Sequence, residues 1–226
     1  EDTLIGVAIT DGEQQIMLFS NEGKAVRFAE TEVRSMGRAA KGVRGMRVTL
    51  AAAQAEDETD LDVESDDDES TEAGFISRIV SLVVVPEAGE VLCACANGYG
   101  KRTPVNVFPT KKRGGKGIIA IKTSERNGEL VGAVAIDVTK EVMLISDGGT
   151  LVRTRASEIA ETGRNAQGVR LIRLGNEEIL VGVVSVEAVE DEDEFEHLIQ
   201  DDSVQNETET VDTDVVDAPV ENTETE

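Results

Sequence analysis

The chain has 226 residues, 22 Lys+Arg against 46 Asp+Glu, and a formal net charge of -24. That length accommodates one or two domains with a sizeable core, and no run of 18 apolar residues is present to cross a membrane as a helix. Aromatics make up 3% and Trp is absent, which excludes an aromatic-rich core, while 21 Gly favour tight turns.

The opening Glu1-Asp2-Thr3-Leu4 has no initiator Met, basic n-region or apolar h-region, so the expectation is a piece of a longer protein without a signal peptide. Residues 4–10 form an apolar run and 15–20 another, both read as strands. Asn21-Glu22-Gly23 is a hairpin turn whose Gly supplies a positive φ. Residues 24–28 return, with Val26 facing in and Arg27 out. A polar linker with one helical turn at 30–34 leads to a last strand at 43–48, whose alternation puts Arg44 on a face with Met46.

Residues 51–74 hold 11 acids and residues 187–226 hold 17, neither with a single Lys or Arg. Removing both leaves 18 acids and all 22 bases, a body of about +4. Runs such as Asp66-Asp67-Asp68-Glu69 lack the apolar surface to order themselves. They read as a solvated linker and tail, or as intramolecular competitors for a polyanion site on the body.

The body repeats itself. Residues 4–48 align without a gap with 130–174, and 17 of the 45 pairs are identical. A middle copy, 79–121, aligns with the third at an offset of 51. The first two copies lie 75 apart, and the excess of 24 equals the length of the acidic segment 51–74, which is therefore an insertion between repeats. The expected organisation is a blade repeat at 1–50, a disordered acidic insertion at 51–74, a blade repeat at 75–127, a blade repeat with a closing strand at 128–186, and a disordered acidic tail at 187–226. A repeat of about 50 residues with four short strands predicts an all-β, propeller-like array of antiparallel blades. A fourth opening strand at 179–186 comes after the third repeat, which suggests that strands are exchanged between neighbouring blades. A second single helical turn is expected at 157–160.

Before each last strand comes one loop design: Gly37-Arg38-Ala39-Ala40-Lys41-Gly42, then Lys112-Arg113-Gly114-Gly115-Lys116-Gly117, then Gly163-Arg164-Asn165-Ala166-Gln167-Gly168. Arg offers a bidentate fork to phosphate oxygens, Lys a point charge, and Gly lets a backbone approach closely. Such loops at one position in every blade would line a rim able to track a duplex backbone. The candidate DNA-binding residues are Arg38, Lys41, Lys111, Lys112, Arg113, Lys116 and Arg164, joined by Lys101, Arg102, Arg153 and Arg155 on the hairpin returns. Arg44, Arg47, Lys122, Arg170 and Arg173 add charge on the last strands. The alternative for Arg38 and Arg164 is that they brace their turns by bonding loop carbonyls. No aromatics interleave these bases, which argues against single-strand stacking.

Other chemistry finds little support. Gly115-Lys116-Gly117 lacks the rest of a P-loop, Gly98-Tyr99-Gly100 lacks the third Gly of a dinucleotide fingerprint, and Ser65 replaces the Gly that an EF-hand start at 60–65 would need. The single His, His197, lies in the acidic tail, and the single Tyr, Tyr99, reads as a turn residue or rim contact. Cys93 and Cys95 read as two reduced core thiols.

The stretches Gly98-Tyr99-Gly100-Lys101-Arg102-Thr103, Lys122-Thr123-Ser124-Glu125-Arg126-Asn127-Gly128, Gly149-Thr150-Leu151-Val152-Arg153-Thr154-Arg155 and Gly163-Arg164-Asn165-Ala166-Gln167-Gly168-Val169 closely resemble the C-terminal domain of the A subunit of bacterial DNA gyrase. The resemblance covers residues 1 to about 186. It implies the last three blades of a six-bladed β-pinwheel that bends duplex DNA around a basic rim, followed by an acidic tail. It further implies a cytoplasmic, chromosome-associated, ATP-dependent type II topoisomerase that introduces negative supercoils, with two A and two B subunits as partners in one heterotetramer. The breakage tyrosine would lie outside this chain, ATP and Mg would sit on the gyrase B subunit, and this part would hold no cofactor or metal. The family's hallmark box, Gln-Arg-Arg-Gly-Gly-Lys-Gly, is absent, and 111–117 is its nearest counterpart; the acidic insertion is not part of the family pattern. The alternatives are the corresponding domain of the A subunit of topoisomerase IV, and a propeller-like protein-interaction module with acidic arms.

Overall fold

A computed structural model describes residues 3–48 and 77–188. The acidic insertion 51–74 and the tail from 189 onward, on which expectations of disorder and of competition for the rim were placed, lie outside the described residues.

The described residues form eleven strands: β1 (Gln15–Ser20), β2 (Lys24–Ala29), β3 (Ile79–Val85), β4 (Glu90–Cys95), β5 (Tyr99–Pro104), β6 (Ile118–Ile119), β7 (Leu130–Ile136), β8 (Glu141–Ser146), β9 (Leu151–Arg155), β10 (Val169–Arg170) and β11 (Leu180–Val186). Each repeat supplies a central hairpin (β1–β2, β4–β5, β8–β9). Its turn ends on a Gly in the left-handed region, with φ of 79°, 77° and 85° at Gly23, Gly98 and Gly149. Short 3-10 turns come after the hairpins at Glu30–Glu32, Val105–Val107 and Ala156–Glu158; the middle one has no counterpart in the sequence reading.

The sheets do not coincide with the repeats. The first has the order β3-β1-β2-β6 and the second β10-β5-β4-β7, so each hairpin is flanked by the opening and last strands of the next repeat. All pairings within the sheets are antiparallel. The third sheet, β11-β8-β9, takes the extra opening strand and has three strands among the described residues rather than four. Strand exchange also corrects two expectations. Residues 4–10 and 43–48 form no strands, because by this rule each would flank the hairpin of a repeat preceding residue 4, and this sequence holds none. Val7 and Ile9 are accordingly exposed. Residues 43–48 still lie along the first sheet: Met46 is buried with Ile16, Val26 and Phe28, and Arg47 N–H donates to Gly115 O at 2.8 Å.

Strand alternation distributes the core. Met17 and Phe19 of β1 and Val91, Cys93 and Cys95 of β4 meet in one cluster between the first and second sheets. Leu92 and Ala94, on the other face of β4, join Val142 and Leu144 of β8 between the second and third. Every residue of β4 is therefore buried, polar Glu90 included. The opening strands contact one another, β3 with β7 and β7 with β11. They form the inner edges, which leaves the short strands β6 and β10, and the basic loops leading into them, at the outer edges of their sheets.

Candidate nucleic-acid interface

The three basic loops are linked in order along that outer edge. Arg113 donates through Nε to Glu32 O at 3.0 Å and through NH1 to Arg44 O at 2.9 Å. Arg164 donates through NH1 to Ile119 O at 3.1 Å. Arg44 and Ile119 occupy one position of the repeat, so each loop arginine braces the segment that leaves the preceding loop. Arg38, in the first repeat, has no such predecessor in the sequence and is exposed. The Gly that closes each loop is left-handed, with φ of 84°, 82° and 85° at Gly42, Gly117 and Gly168. A Cβ on Gly168 would stand 2.5 Å from Gly100 O, and one on Gly117 would stand 2.8 Å from Ala25 O. Those two glycines are required by the loop's contact with the preceding hairpin.

The hairpin-return arginines form a second structural series. Arg27 donates through Nε to Gln15 Oε1 at 2.5 Å and through NH1 to Val105 O and Phe108 O at 2.8 and 3.0 Å. Arg102, one repeat on, pairs with Glu90 and donates to Ile159 O at 2.7 Å. Arg153 pairs with Glu141 and reaches Glu187 O at 3.3 Å. Each of the first two ties its own hairpin to the 3-10 turn of the next repeat. Arg153 has no next repeat in this sequence and stays about half exposed.

Lys101 and Arg102, expected on nucleic acid, are therefore corrected to interior residues. Arg102 is 8% exposed and Lys101 is fully buried. The Lys101 ammonium donates to Gly163 O and Arg164 O at 2.5 and 2.7 Å, and burial pushes its pKa down to about 8. It clamps the third basic loop from beneath. Val26 and Val152 fill the same position in the other hairpins, and the inward-facing Val26 was the signal that Lys101 points inward too.

The remaining candidates are placed differently. Lys41, Lys111, Lys112 and Lys116 are exposed, as are Arg38 and Arg155, and the side chains of these six make no ion pair or hydrogen bond with any described residue. Lys111, Lys112 and Lys116 share the loop that Arg113 holds in shape, so three free cations project from one braced turn.

A cluster that sequence reasoning missed lies on the second sheet. Arg126 and Arg170 place their Cζ atoms 4.8 and 5.4 Å from the centroid of the Tyr99 ring. Arg170 also donates to the phenol oxygen at 2.9 Å, and these hydrogen bonds, Arg170 first and then Arg126, lower the Tyr99 pKa. Tyr99 begins β5 instead of sitting in the turn, and its register partner is Arg170. Strand exchange, followed through the repeat alignment, was the signal that could have paired them. Cys93 and Cys95 are buried free thiols, and burial pushes Cys93 up to about 12. Among the described residues no cluster of His, Cys, Asp and Glu suits a metal ion, and no helix is long and apolar enough to cross a membrane.

Comparison with known proteins gives a consistent picture. The family model for the DNA gyrase C-terminal domain, a beta-propeller, matches residues 14–52, 89–137 and 140–187. The A subunit of DNA gyrase from Haemophilus influenzae is 51% identical over 206 residues, covering 90% of this chain and 23% of that protein. The chain thus spans about a quarter of that relative's length. A solved structure of a DNA gyrase A C-terminal domain superposes with a TM-score of 0.63 at 26% identity, covering 78% of this chain and 52% of the other. The C-terminal domain of DNA topoisomerase IV has a TM-score of 0.66 at 20% identity, covering 87% and 54%, and shares the fold.

Proposed function

The chain belongs to the DNA gyrase C-terminal domain family, and from that premise we propose that it binds and bends duplex DNA along the outer edge of its sheets, as the C-terminal part of the A subunit of a gyrase. The observation that carries this reading is the braced loop from which Lys111, Lys112 and Lys116 project without partners among the described residues. Close cations on one rigid turn repel one another, and a polyanion relieves that repulsion. Arg38, Lys41 and Arg155 extend the charge, Arg113 and Arg164 hold the loops, and Arg153 is part brace and part exposed cation. Exposed ammonium and guanidinium groups on such an edge suit phosphate oxygens, so the proposed binding would be independent of sequence and would weaken with salt. In the whole enzyme this part would present DNA to a core of two A and two B subunits that uses ATP to introduce negative supercoils, in the bacterial cytoplasm. The breakage tyrosine, ATP and Mg would all lie outside this chain, which would need no cofactor of its own.

The test is a titration of the full chain with labelled duplexes of unrelated sequence and with single strands. Equal affinity for all duplexes, weaker affinity for single strands, and loss of both as salt rises are expected. Absence of duplex binding at low salt, or a preference for single strands, overturns the reading.

A further inference from the structure

We propose that Tyr99, Arg126 and Arg170 form a phosphate clamp on the second sheet, a separate contact for a duplex backbone phosphate away from the lysine loop. The inference rests on the duplex-binding reading above and adds a site to it.

Two guanidinium groups share one phenol ring, with Cζ atoms 4.8 and 5.4 Å from its centroid. Neither is paired with a carboxylate among the described residues. Among the described residues, and beyond the Tyr99 side chain, the Arg126 side chain makes a long 3.4 Å contact to Gln167 Oε1 and that of Arg170 has no further hydrogen-bond partner. Like charges held side by side at an exposed site raise each other's energy, and most of their N–H donors remain free. An anion that accepts from both forks removes the repulsion and fills the donors, and a phosphate's oxygens fit guanidinium forks.

The arrangement is built into the backbone. Tyr99 and Arg170 are direct register partners across β5 and β10. The Asn97 side-chain amide, in the hairpin turn just before Tyr99, donates to Glu125 O and Arg126 O at 2.9 and 3.2 Å. The turn carrying Arg126 is thereby tied to the hairpin carrying Tyr99. Buried Asn127 fixes that turn's far side through bonds to Lys122 O and Gln167 O at 2.9 and 3.1 Å. The phenol pKa is lowered first by the hydrogen bond from Arg170 and then by that from Arg126, with the charges of both guanidinium groups adding to it.

The clamp does not repeat. The matching register pair in the first sheet is Lys24 and Ile119, and Thr150 holds the Tyr99 position in the third hairpin. The three basic loops would track a backbone along every blade. The clamp would fix one phosphate at one blade, and so set where along the edge the duplex sits.

Tyr99 is the only Tyr in the chain, so a sample with carbon-13 in its tyrosine rings gives one ring spectrum, silent for DNA. The experiment adds unlabelled duplex to the full chain while a labelled duplex reports binding in parallel. The ring resonances are expected to shift in step with binding. Arg126→Gln and Arg170→Gln, both at exposed side chains, should each lower the salt dependence of log K by roughly 0.9. If duplex binds while the Tyr99 ring signals stay still and both variants keep the original slope, the clamp is wrong and the lysine-loop reading stands. If no duplex binds at all, both fall together.

Discussion

At the scale of single residues, one repeated position carries different energies depending on whether a further repeat docks over it. Arg102 and Glu90 are 9% and 12% exposed at their side chains, so removing the arginine strands a buried carboxylate. Arg102→Met should cost about 3–5 kcal/mol in denaturant unfolding. Arg153 is 42% exposed, and Arg153→Met should cost no more than about 1 kcal/mol, because solvent already screens its pair with Glu141. Equal costs would mean that the bond from Arg102 to Ile159 O, which Arg153 cannot make, contributes nothing. The phenol offers a second check at this scale. Arg170 is the first cause of the lowered Tyr99 pKa, since its hydrogen bond favours the phenolate. Arg170→Ala should therefore raise the ionisation midpoint toward the ordinary tyrosine value, and an ultraviolet titration of the protein alone follows it without interference from Trp. These distinctions were illegible in the sequence. Lys101, Arg102 and Arg153 all read as surface charge on a hairpin return, whereas burial is decided by the next repeat, which docks a carbonyl row over two of them and none over the third.

Among elements, the loop–hairpin contact is the unit that matters. Gly42, Gly117 and Gly168 share a left-handed backbone, and each loses roughly 1–2 kcal/mol when a Cβ is added in that conformation. Gly168 carries a further penalty, because the new atom would stand 2.5 Å from Gly100 O, whereas nothing lies within 4 Å of one on Gly42. Gly168→Ala should thus destabilise clearly more than Gly42→Ala in parallel denaturant melts; a reversed order would mean that the third loop does not rest on β5. The loops were legible because Arg and Gly recur at fixed spacing, and the hairpins because Asn-Glu-Gly, Asn-Gly and Asp-Gly-Gly turns punctuate apolar runs. β1 matches its expected limits, and β11 begins one residue later than expected. The strands at 4–10 and 43–48 were misread because apolar alternation marks the capacity to pair and carries no information about whether a partner hairpin is within reach.

Taken as a whole, the molecule is a chain of hairpins each completed by its successor, and that order has consequences for both stability and binding. Truncation before Leu180 removes β11, the inner partner of β8 along six register positions. Hydrogen exchange should then accelerate in β8 and β9 while β1 and β2, two sheets away, keep their protection; uniform acceleration would mean that the sheets melt as one block. The same successive docking strings the basic loops along one outer edge, each arginine bracing the loop before it. On the proposed reading the arginines shape the edge, and the lysines at its centre, unpaired among the described residues, would meet the phosphates. The salt dependence of duplex affinity, measured for the full chain and for a variant with Lys111, Lys112 and Lys116 all changed to Gln, tests that division most directly. The slope of log K against log salt should fall by roughly 0.9 for each lysine that touched a phosphate, and by the same amount on every duplex sequence. A variant that kept the original slope would show that the lysine loop stands clear of the DNA.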